Sequence, residues 1–405
     1  MIEPGAILAL DVEKPAAGGR MLARHKGQVV LVWGAIPGER IHARVERSTR
    51  SVLYAETIEV LSASPDRRDA GTDWRCGGNV LAHVAYERQL TLKAEIIQDA
   101  LGRIGHIPLS SPPIVIGSPE HGYRMRARLH ARDGRLGFYR EGTHDLCSVE
   151  ATGQLLPETL AWLASVESVL QRDGLAGLSA VEFAENIPGS ERAVRVDAHE
   201  GVDASRFRAF VTEAQTVTDV LRVRDGDPAT TLRLRRNVRS FFQGNRFLLE
   251  RLLRHVAALV PEGPIVDLYA GVGLFGLSLA ARGAEDVTLV EGDPASGADL
   301  VANAEPFADR VRARRASVEA FVSVGSSREA TFIVDPPRTG MSKEAIAGVI
   351  QHKPSRIVYV SCDVATLARD TRMLLDAGYV LESLTGIDLF PNTAHVETVA
   401  TLNRS

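Results

Sequence analysis

Near its C-terminal end, the chain carries two side chains that could act together as a nucleophile and a base. Cys362 stands in the run Val360-Ser361-Cys362-Asp363, directly after a short apolar segment typical of a strand. Glu397 ends the run Phe390-Pro391-Asn392-Thr393-Ala394-His395-Val396-Glu397. A thiolate can add covalently to an electron-poor carbon, and a carboxylate can then remove a proton from the adduct. Either residue alone is more often structural, but the combination predicts covalent catalysis.

A second group of residues has the pattern of a nucleotide-cofactor site. Residues 267–276 read Asp-Leu-Tyr-Ala-Gly-Val-Gly-Leu-Phe-Gly, which predicts a strand, a glycine-rich turn and a helix. Glycine lets the backbone approach a nucleotide-like ligand in the crevice beyond the strand ends. The next predicted strand ends at Glu291, 20 residues after Gly271, where an acid can accept hydrogen bonds from ribose hydroxyls. Nicotinamide, flavin and adenosylmethionine sites share this pattern.

The run Asp335-Pro336-Pro337-Arg338 at a strand end discriminates among these cofactors. It is typical of methyltransferases that act on nucleic acids, and it is foreign to dehydrogenases. Enzymes that methylate exocyclic amino groups carry an aromatic residue after the two prolines to stack the target base. Arg338 at that position therefore argues against exocyclic nitrogen chemistry.

Methylation of a pyrimidine carbon would explain why a thiol and a base occur together. Uracil C5 is a poor nucleophile, and its hydrogen is not acidic. A thiolate that adds at C6 makes an enolate whose C5 can attack a sulfonium methyl group, and a base must then remove the C5 proton so that the thiolate can leave. We therefore assign Cys362 as the expected nucleophile and Glu397 as the expected base.

Three regions with different patterning must position these residues. Residues 1–62 read as short β-runs divided by turns, which predicts a small OB-like barrel, and seven Lys or Arg against two acids lie between Arg20 and Arg50. Residues 63–240 predict a mixed α+β domain that binds RNA, with a helix over 83–104 that we expect to pack on the catalytic domain. Residues 241–405 alternate apolar strands with helix-length segments, which predicts an α/β, doubly wound, Rossmann-like parallel sheet.

Two basic stretches are candidates for a nucleic-acid surface. In residues 123–132 the period of a strand places Arg124, Arg126 and Arg128 on one face, while apolar residues occupy the other. A second stretch spans residues 233–239. The net charge is −4, so any such surface must be a local patch. Both stretches together with a basic barrel indicate phosphate binding.

With these motifs, the chain resembles the RNA uracil-5 methyltransferases, which make 5-methyluridine in tRNA or 23S ribosomal RNA. The resemblance covers nearly the whole chain. Its segments are Gly18-Gly19, Pro37-Gly38-Glu39, Ser64-Pro65-Asp66-Arg67, Ser240-Phe241-Phe242-Gln243-Gly244-Asn245, the turn around Tyr269, Asp335-Pro336-Pro337-Arg338, Ser361-Cys362-Asp363, Thr366-Leu367-Ala368-Arg369-Asp370 and His395-Val396-Glu397.

The resemblance implies a role for each of these segments. It implies that residues 1–62 form a TRAM domain, an RNA-binding barrel, and that S-adenosylmethionine is the cofactor. It also supports Cys362 as nucleophile and Glu397 as general base. Residues expected to bind the cofactor are Gln243, Tyr269, Gly271, Glu291 and Asp335. Residues expected to bind RNA are Arg124, Arg126, Arg128 and Arg338.

The chain departs from the family pattern at its cysteines. Several ribosomal-RNA members bind a [4Fe-4S] cluster through four cysteines, but here Ala70 and Asn79 stand at two of the ligand positions. Such a cluster ordinarily needs all four thiolates, so we expect no iron–sulfur cluster and no other metal. Cys76 and Cys147 are then remnants of the cluster motif. Three sparse cysteines also predict no disulfide framework, which fits a reducing compartment.

Composition limits the remaining classes of function. The 405 residues are 45% hydrophobic and 24% charged, as in an ordinary globular protein. There is no run of 18 apolar residues to span a membrane and no signal-peptide pattern near Met1. We expect a cytoplasmic monomer whose partner is structured RNA and which does not act at a membrane.

The sequence leaves alternatives open about the substrate. The TRAM-like barrel favours 23S ribosomal RNA, because many tRNA-directed members of the family lack it, but the T-loop uridine of tRNA is the alternative target. A DNA cytosine-5 methyltransferase would place its cysteine after a proline near the middle of the catalytic domain, unlike this chain. A catalytically vestigial RNA-binding protein is the third possibility. Retention of Gln243, Glu291, Asp335, Cys362 and Glu397 argues against it.

Overall fold

The computed structural model describes residues 2–71, 73–224, 226–227, 230–324 and 329–405. Strands in this part of the chain form a closed barrel, a five-stranded sheet, a two-stranded ribbon and an eight-stranded sheet. Among the described residues, no helix combines the length and the apolar character needed to cross a lipid bilayer. The predicted fold class is confirmed: an α/β methyltransferase sheet is joined to a small N-terminal barrel and a mixed central region.

The N-terminal strands close into a barrel in the order β1-β2-β3-β5-β4. They are β1 (Ile7–Pro15), β2 (Met21–His25), β3 (Gln28–Trp33), β4 (Arg40–Ser48) and β5 (Val52–Ser62). Alternate residues such as Leu8, Leu10 and Val12 point into the barrel core, as the period of two requires. The buried Glu39 carboxylate accepts hydrogen bonds from Arg67 Nε at 2.6 Å and Ser64 N at 3.1 Å, so it fastens the segment after the barrel to the barrel wall.

Helix α1 (Tyr86–Arg103) lies between the barrel and the catalytic region. Its Leu92 belongs to the barrel core, whereas Ile97 and Leu101 pack against Ala368. After α1 the chain forms a short strand, β6 (Val115–Ile116), at the edge of the eight-stranded sheet.

The central region consists of a five-stranded antiparallel sheet covered on one face by a helix. Its elements are β7 (Arg126–Arg132), β8 (Arg135–Tyr139), β9 (Leu146–Ser148), α2 (Pro157–Arg172), β10 (Leu178–Glu185) and β11 (Arg192–Ala198). The strand order is β11-β10-β7-β8-β9. Leu129 and Phe183 pack with Leu163 and Val166 of α2, so the arginines of β7 lie on the opposite face. A separate ribbon follows, made of β12 (Thr216–Arg222) and β13 (Thr231–Asn237).

The C-terminal region is an eight-stranded sheet with helices on both faces. Its remaining elements are α3 (Leu249–Ala258), β14 (Ile265–Leu268), α4 (Leu274–Ala281), β15 (Val287–Glu291), α5 (Pro294–Ala304), β16 (Val311–Arg315), α6 (Val318–Val322), β17 (Thr331–Val334), α7 (Lys343–His352), β18 (Arg356–Ser361), α8 (Val364–Asp376), β19 (Tyr379–Ile387) and β20 (Glu397–Arg404). The order is β16-β15-β14-β17-β18-β20-β19-β6.

One strand of this sheet departs from the all-parallel arrangement that the sequence predicted. Strand β20 inserts between β18 and β19 and is antiparallel to both. It can do so because residues 388–396 return the chain to the strand end at which β19 finishes. The buried strands β17 and β18 are nearly continuous apolar runs, as sheets covered on both faces require.

Candidate active site

Cys362 and Glu397 meet at one end of the β18–β20 pair. Ser361 is the last residue of β18 and pairs with Thr398. In an antiparallel ladder the next rung joins the following residue of one strand to the preceding residue of the other. Cys362 therefore lies opposite Glu397, although 34 residues separate them in the sequence. The thiol is partly exposed, while only 3% of the Glu397 surface is accessible.

The Cys362 backbone is held in a tight connection between strand and helix. Asp363 caps α8: its Oδ1 accepts hydrogen bonds from Ala365 N at 3.0 Å and Thr366 N at 2.8 Å. A capped helix start one residue after the cysteine limits how far the thiol can move.

Asp335 and Arg338 approach the same point from the neighbouring strand. Asp335 follows β17, which pairs with β18, and Gln243 Nε2 donates a hydrogen bond to Asp335 Oδ2 at 3.3 Å. Arg338, three residues further along the chain, is exposed, and its charge lowers the pKa of both Cys362 and Glu397 against stronger opposing effects. The structure thus brings together Gln243, Asp335, Arg338, Cys362 and Glu397.

Burial dominates the electrostatics of this cluster. It raises the pKa of Glu397 to about 7, and Glu397 Oε1 has no hydrogen-bond partner among the described residues. Burial and then the charges of Glu397 and Asp335 raise the pKa of the Cys362 thiol to about 11. Three anions in one desolvated site would repel one another, so the resting site holds a protonated thiol and an easily protonated carboxyl.

The glycine-rich turn lies beside this cluster and forms the candidate cofactor site, since Asp335 and Glu291 both act on the buried Asp267 at its start. Gly271 N donates a hydrogen bond to Glu291 Oε2 at 2.7 Å, and Asp293 N donates one to Glu291 Oε1 at 2.6 Å. These bonds hold the carboxylate at the end of β15. A Cβ at Gly276 would lie 2.1 Å from Leu289 Cδ2, so only glycine allows α4 to start this close to the sheet. Tyr269 has a left-handed backbone (φ 60°) that turns the chain out of β14.

Asp267 is a further acidic group of this turn to which the sequence analysis gave no role. Its side chain is fully buried, Oδ2 accepts a hydrogen bond from Gly276 N at 2.8 Å, and Oδ1 has no described partner. Burial raises the pKa of Asp267 to about 8. Its position as the first residue of the glycine motif is the signal that could have identified it.

The residues of this candidate cofactor site fit S-adenosylmethionine. The Glu291 carboxylate can accept hydrogen bonds from ribose hydroxyls, and a ligand with a sulfonium and an ammonium charge would oppose the burial that raises the pKa of Asp267 and Asp335 and so favour their ionised forms. The orphaned Oδ1 of Asp267 also leaves an acceptor without a partner among the described residues.

Comparisons with known proteins agree with this geometry. The family model described as tRNA (uracil-5-)-methyltransferase matches residues 303–405, and a TRAM domain model matches residues 3–58. The chain is 31% identical to the 23S rRNA (uracil(1939)-C(5))-methyltransferase RlmD of Pseudomonas putida, over 96% of this chain and 92% of that protein. A protein of the same description from Halomonas elongata is also 31% identical, over 97% of this chain and 89% of that protein.

The chain belongs to the RNA uracil-5-methyltransferase family. It is therefore an S-adenosylmethionine-dependent enzyme that methylates C5 of uracil in RNA. The resemblance indicated by the motifs is confirmed, and so is the TRAM domain. A solved structure agrees: Pyrococcus abyssi tRNA (uracil-54, C5)-methyltransferase in complex with S-adenosyl-L-homocysteine matches with a TM-score of 0.73 and 25% identity, over 97% of this chain and 99% of that chain.

The predicted RNA-binding arginines of this methyltransferase lie in different surroundings. Arg124 precedes β7, and its guanidinium lies 5.6 Å from the ring centroid of Phe390, near the active site. Arg126 and Arg128 share the expected face but have carboxylate partners: Arg126 approaches Glu182 at 3.5 Å, and Arg128 pairs with Asp197. Part of the positive charge on this face is therefore neutralised within the protein. Their role in RNA binding remains a prediction.

The second basic stretch, residues 233–239, has more uncompensated positive charge on its surface than the β7 face does. Arg233, Arg235 and Arg239 are exposed, and in the part of the chain that the structure describes no carboxylate pairs with them. Arg236 instead points inward and pairs with buried Asp219 at 3.0 Å. The chain then leads directly to the active site through Phe241.

Phe241 is an exposed aromatic side chain that the sequence analysis did not single out. It is 60% exposed, whereas the neighbouring Phe242 is buried, and it stands two residues before Gln243. The Arg126 guanidinium lies 5.6 Å from its ring centroid. The Phe241-Phe242 pair is the signal that could have revealed it, since only one of two consecutive side chains in an extended segment points inward.

The expectation of no disulfide is wrong, because the structure joins Cys76 to Cys147. Both residues are buried, and their Cα atoms lie 5.7 Å apart. Spacing in the sequence did not reveal the pair, since the two cysteines are 71 positions apart. With Ala70 and Asn79 at the other positions, these residues do not fit an iron–sulfur cluster. Among the described residues, no group of three or more His, Cys, Asp or Glu side chains is arranged to hold a metal ion.

Proposed function

We propose that this methyltransferase modifies C5 of a specific uridine in structured RNA, most favourably in 23S ribosomal RNA, through a covalent bond between Cys362 and C6. The observation that carries the proposal is that the β18–β20 ladder ends on the rung Ser361–Thr398, so that Cys362 and Glu397 come next at the same end of the two strands, and the charge of Glu397 acts on the Cys362 thiol. A nucleophile and a base on facing positions can act on adjacent carbons of one ring, which is what C6 addition and C5 deprotonation require.

The steps follow from the chemistry of uracil. The Cys362 thiolate forms a bond to C6, and the electrons of the C5–C6 double bond move toward the O4 carbonyl to give an enolate. S-adenosylmethionine supplies the methyl group that C5 acquires. The Glu397 carboxylate then takes the C5 proton, the double bond re-forms, and the carbon–sulfur bond breaks to release the thiolate. The Glu397 pKa of about 7 suits a base that works near neutral pH.

Arg338 is the charged group that favours both anionic forms. Its charge lowers the pKa of Cys362 and of Glu397, against the effect of burial. Because the thiol is protonated at rest and partly exposed, it must give its proton to solvent before the thiolate can add to C6, and the charge of Arg338 favours that loss. Because Arg338 is exposed beside Cys362 and Glu397, it is also suited to contact an RNA phosphate or the target base.

The cofactor assignments are part of the same proposal. Glu291 would accept hydrogen bonds from the ribose hydroxyls, since its carboxylate is already aimed by Gly271 N and Asp293 N. Gln243 and Asp335 form a hydrogen-bonded pair between the thiol and this site, and Tyr269 flanks it. Their contribution is to bind and orient the methyl donor toward C5.

Ribosomal RNA is the preferred substrate class for two reasons. The relatives at 31% identity are described as acting on uracil 1939 of 23S rRNA, and the chain has a TRAM barrel. A second candidate is the T-loop uridine of tRNA, favoured by the close overall match to the Pyrococcus abyssi enzyme. In either case the base must leave its stack to reach Cys362, which loops and bulges allow cheaply.

Two measurements test substrate and mechanism separately. Purified enzyme is incubated with 23S rRNA and with tRNA transcripts, and 5-methyluridine is mapped in each. Methylation of tRNA alone would reverse the substrate preference. For the mechanism, the preferred RNA is made with 5-fluorouridine at the target, because fluorine cannot leave as a cation and the adduct should survive denaturing electrophoresis.

Variants complete the mechanistic test. Cys362→Ala should bind RNA but form no adduct, whereas Glu397→Gln should accumulate a methylated covalent complex because the C5 proton stays in place. Glu382→Gln, an exposed glutamate that pairs with Arg356, is the matched control and should behave as wild type. Methylation by Cys362→Ala, or no adduct between wild type and fluorinated RNA, would refute covalent catalysis through Cys362.

A further inference from the structure

Residues 388–396 form the connection that delivers Glu397 to the active site. We call residues 388–396 the base loop. It leaves β19 after Ile387 and ends directly before Glu397, the first residue of β20. Any shift of the base loop would move the start of β20 and therefore the carboxylate. What holds the base loop in place thus bears on the reaction.

A buried ion pair from α1 holds the beginning of the base loop. The side chains of Lys93 and Asp388 are both fully buried, and Lys93 Nζ lies 2.5 Å from Asp388 Oδ1. Lys93 Nζ also donates to Phe390 O at 3.1 Å, and Tyr86 Oη donates to Asp388 Oδ2 at 3.0 Å. Both oxygens of the aspartate are thus engaged. Two apolar side chains in place of this ion pair would avoid the cost of burying two charges. We therefore interpret the ion pair as fixing the geometry of the base loop rather than as adding stability.

A second contact from the same helix holds the middle of the base loop. Gln89 Nε2 donates to Asn392 Oδ1 at 2.8 Å, and Asn392 N donates back to Gln89 Oε1 at 2.9 Å. Arg68 Nη2 donates to the same Oδ1 at 3.0 Å. Asn392 has a left-handed backbone (φ 64°), which asparagine tolerates better than most residues. This reciprocal pair selects one conformation of the turn.

The opposite side of the catalytic pair is also in contact with α1. Ile97 and Leu101 pack against Ala368 of α8, the helix that starts directly after Cys362 and Asp363, and Val396 of the base loop joins the same cluster. One helix therefore touches the element that follows the nucleophile and the segment that precedes the base.

Tyr86, Gln89 and Lys93 occupy positions i, i+3 and i+7 of α1, so they share one face of the helix. We propose that they are positioning residues, which hold Glu397 at the place from which it can remove the C5 proton. The inference rests on the proposed role of Glu397 as base. It predicts that loosening the base loop slows proton removal without preventing addition of Cys362 to C6.

The main test removes both buried charges at once. In Lys93→Met/Asp388→Asn no uncompensated charge remains, and the amide oxygen that replaces the carboxylate can still accept a hydrogen bond from Tyr86. We expect kcat to fall about 10- to 100-fold, the scale of a misplacement of roughly 1 Å, with little change in KM for RNA or in cofactor affinity. The variant should also accumulate the methylated covalent complex on denaturing gels, a signature that a general loss of structure would not produce.

Matched variants keep the test decisive. Lys14→Met/Asp99→Asn removes an ion pair of 2.6 Å on the exposed side of α1, together with the pairing of Asp99 with Arg103, and should leave kcat unchanged. Gln89→Leu loosens the base loop without touching a charge and should give the same adduct signature, so the test stands even if the double variant does not fold.

Three outcomes decide between the proposals. In the first outcome, Glu397→Gln accumulates adduct, but the two loosened variants, Lys93→Met/Asp388→Asn and Gln89→Leu, lose activity only in proportion to the fraction of protein that is folded. The positioning role is then wrong, and the proposed function stands. If the loosened variants lose RNA binding rather than kcat, the positioning role is also wrong. If Glu397→Gln and fluorinated RNA with wild type both give no adduct, the proposed function fails and the positioning role with it.

Discussion

Glu397 raises the pKa of Asp335, although the two carboxyl groups come from different strands of the sheet. Burial raises the pKa of Asp335 first, the charge of Glu397 adds to it, and the hydrogen bond from Gln243 opposes both. Burial, and then the charges of Glu397 and Asp335, also raise the pKa of the Cys362 thiol. The active site is therefore a place where negative charge is costly, and its protonation state should govern both activity and stability.

The first prediction concerns the pH dependence of catalysis. A base must be ionised to accept the C5 proton, and Glu397 has a pKa of about 7, so the rate should fall about tenfold more steeply per pH unit below pH 7 than above it, where only the Cys362 thiol remains to be ionised. Single-turnover rates between pH 5.5 and 8.5 measure this, with RNA binding followed over the same range as a control. A rate that stays flat down to pH 5.5 while RNA remains bound would contradict Glu397 as the base.

The second prediction concerns the pH dependence of stability. Burial raises the pKa of Asp267 from 3.8 to about 8, so the folded protein binds a proton that the unfolded chain releases between these values. The free energy of unfolding should therefore decrease as pH rises from 4 to 8, by up to about 1.4 kcal/mol per pH unit for this group. Asp267→Asn should be less sensitive to pH and more stable than wild type at pH 8.

Thermal unfolding at pH 5 and pH 8 measures this difference in the absence of cofactor. Asp309→Asn, at an exposed position beside Arg310, is the control and should follow wild type. Equal loss of stability between pH 5 and 8 in wild type and Asp267→Asn would mean that Asp267 is ionised in the folded state.

The third prediction concerns the cofactor. Glu291→Ala removes a carboxylate positioned by two backbone amides and should weaken S-adenosylmethionine binding by about 1.5–3 kcal/mol, the usual cost of losing a charged hydrogen-bond partner. Isothermal titration calorimetry gives the affinity, and the loss should not depend on which RNA is present. Glu305→Ala, in the short 3-10 helix after α5, serves as the control. Unchanged affinity would remove Glu291 from the site.

The fourth prediction concerns RNA binding. Changing Arg233, Arg235 and Arg239 to alanine should reduce the slope of log K against log salt by about 2–3, because each lost phosphate contact contributes roughly 0.7–0.9. Changing Arg124, Arg126 and Arg128 should also weaken binding, and in the same direction. Unaltered affinity and slope in either triple variant would exclude that stretch from the RNA surface.

The matched control for this measurement removes the same number of charges elsewhere. Arg172, Arg310 and Arg372 each pair with a nearby acid, and their triple replacement by alanine should leave the slope nearly unchanged. A control that lowers the slope equally would show that net charge rather than local contact determines binding.

The fifth prediction concerns the cysteines. Alkylation of denatured, unreduced protein should label one thiol, that of Cys362, and reduction should raise the count to three by intact mass. Closing a loop of this length stabilises a fold by about 4 kcal/mol in the chain-entropy model, so reductant should lower the melting temperature. Protein purified anaerobically should contain no stoichiometric iron. Labelling of three thiols without reductant, or a brown protein, would contradict the pairing.

Local patterns in the sequence were sufficient to predict much of the fold. Alternation in β3 and β7, the apolar runs of the large sheet and the glycine turn after β14 all depend on residues a few positions apart, where strand period and glycine geometry act directly. Uracil chemistry demands a thiol and a carboxylate, and both occur in recognisable segments, so Cys362 and Glu397 are predicted as nucleophile and base from the sequence alone. The sequence by itself thus determined the fold class and the reaction.

Only the tertiary structure decided how these parts meet. No periodicity indicates that β20 inserts antiparallel beside β18 or that Lys93 lies beside Asp388, nearly 300 residues away. From the sequence alone, Lys93 would be placed on the polar side of an amphipathic helix, and Arg126 would be taken as an unpaired cation. The structure instead places Glu182 beside Arg126. Pairing, burial and the resulting pKa values arise from contacts through space, and a local pattern carries no information about which distant residue will fill that space.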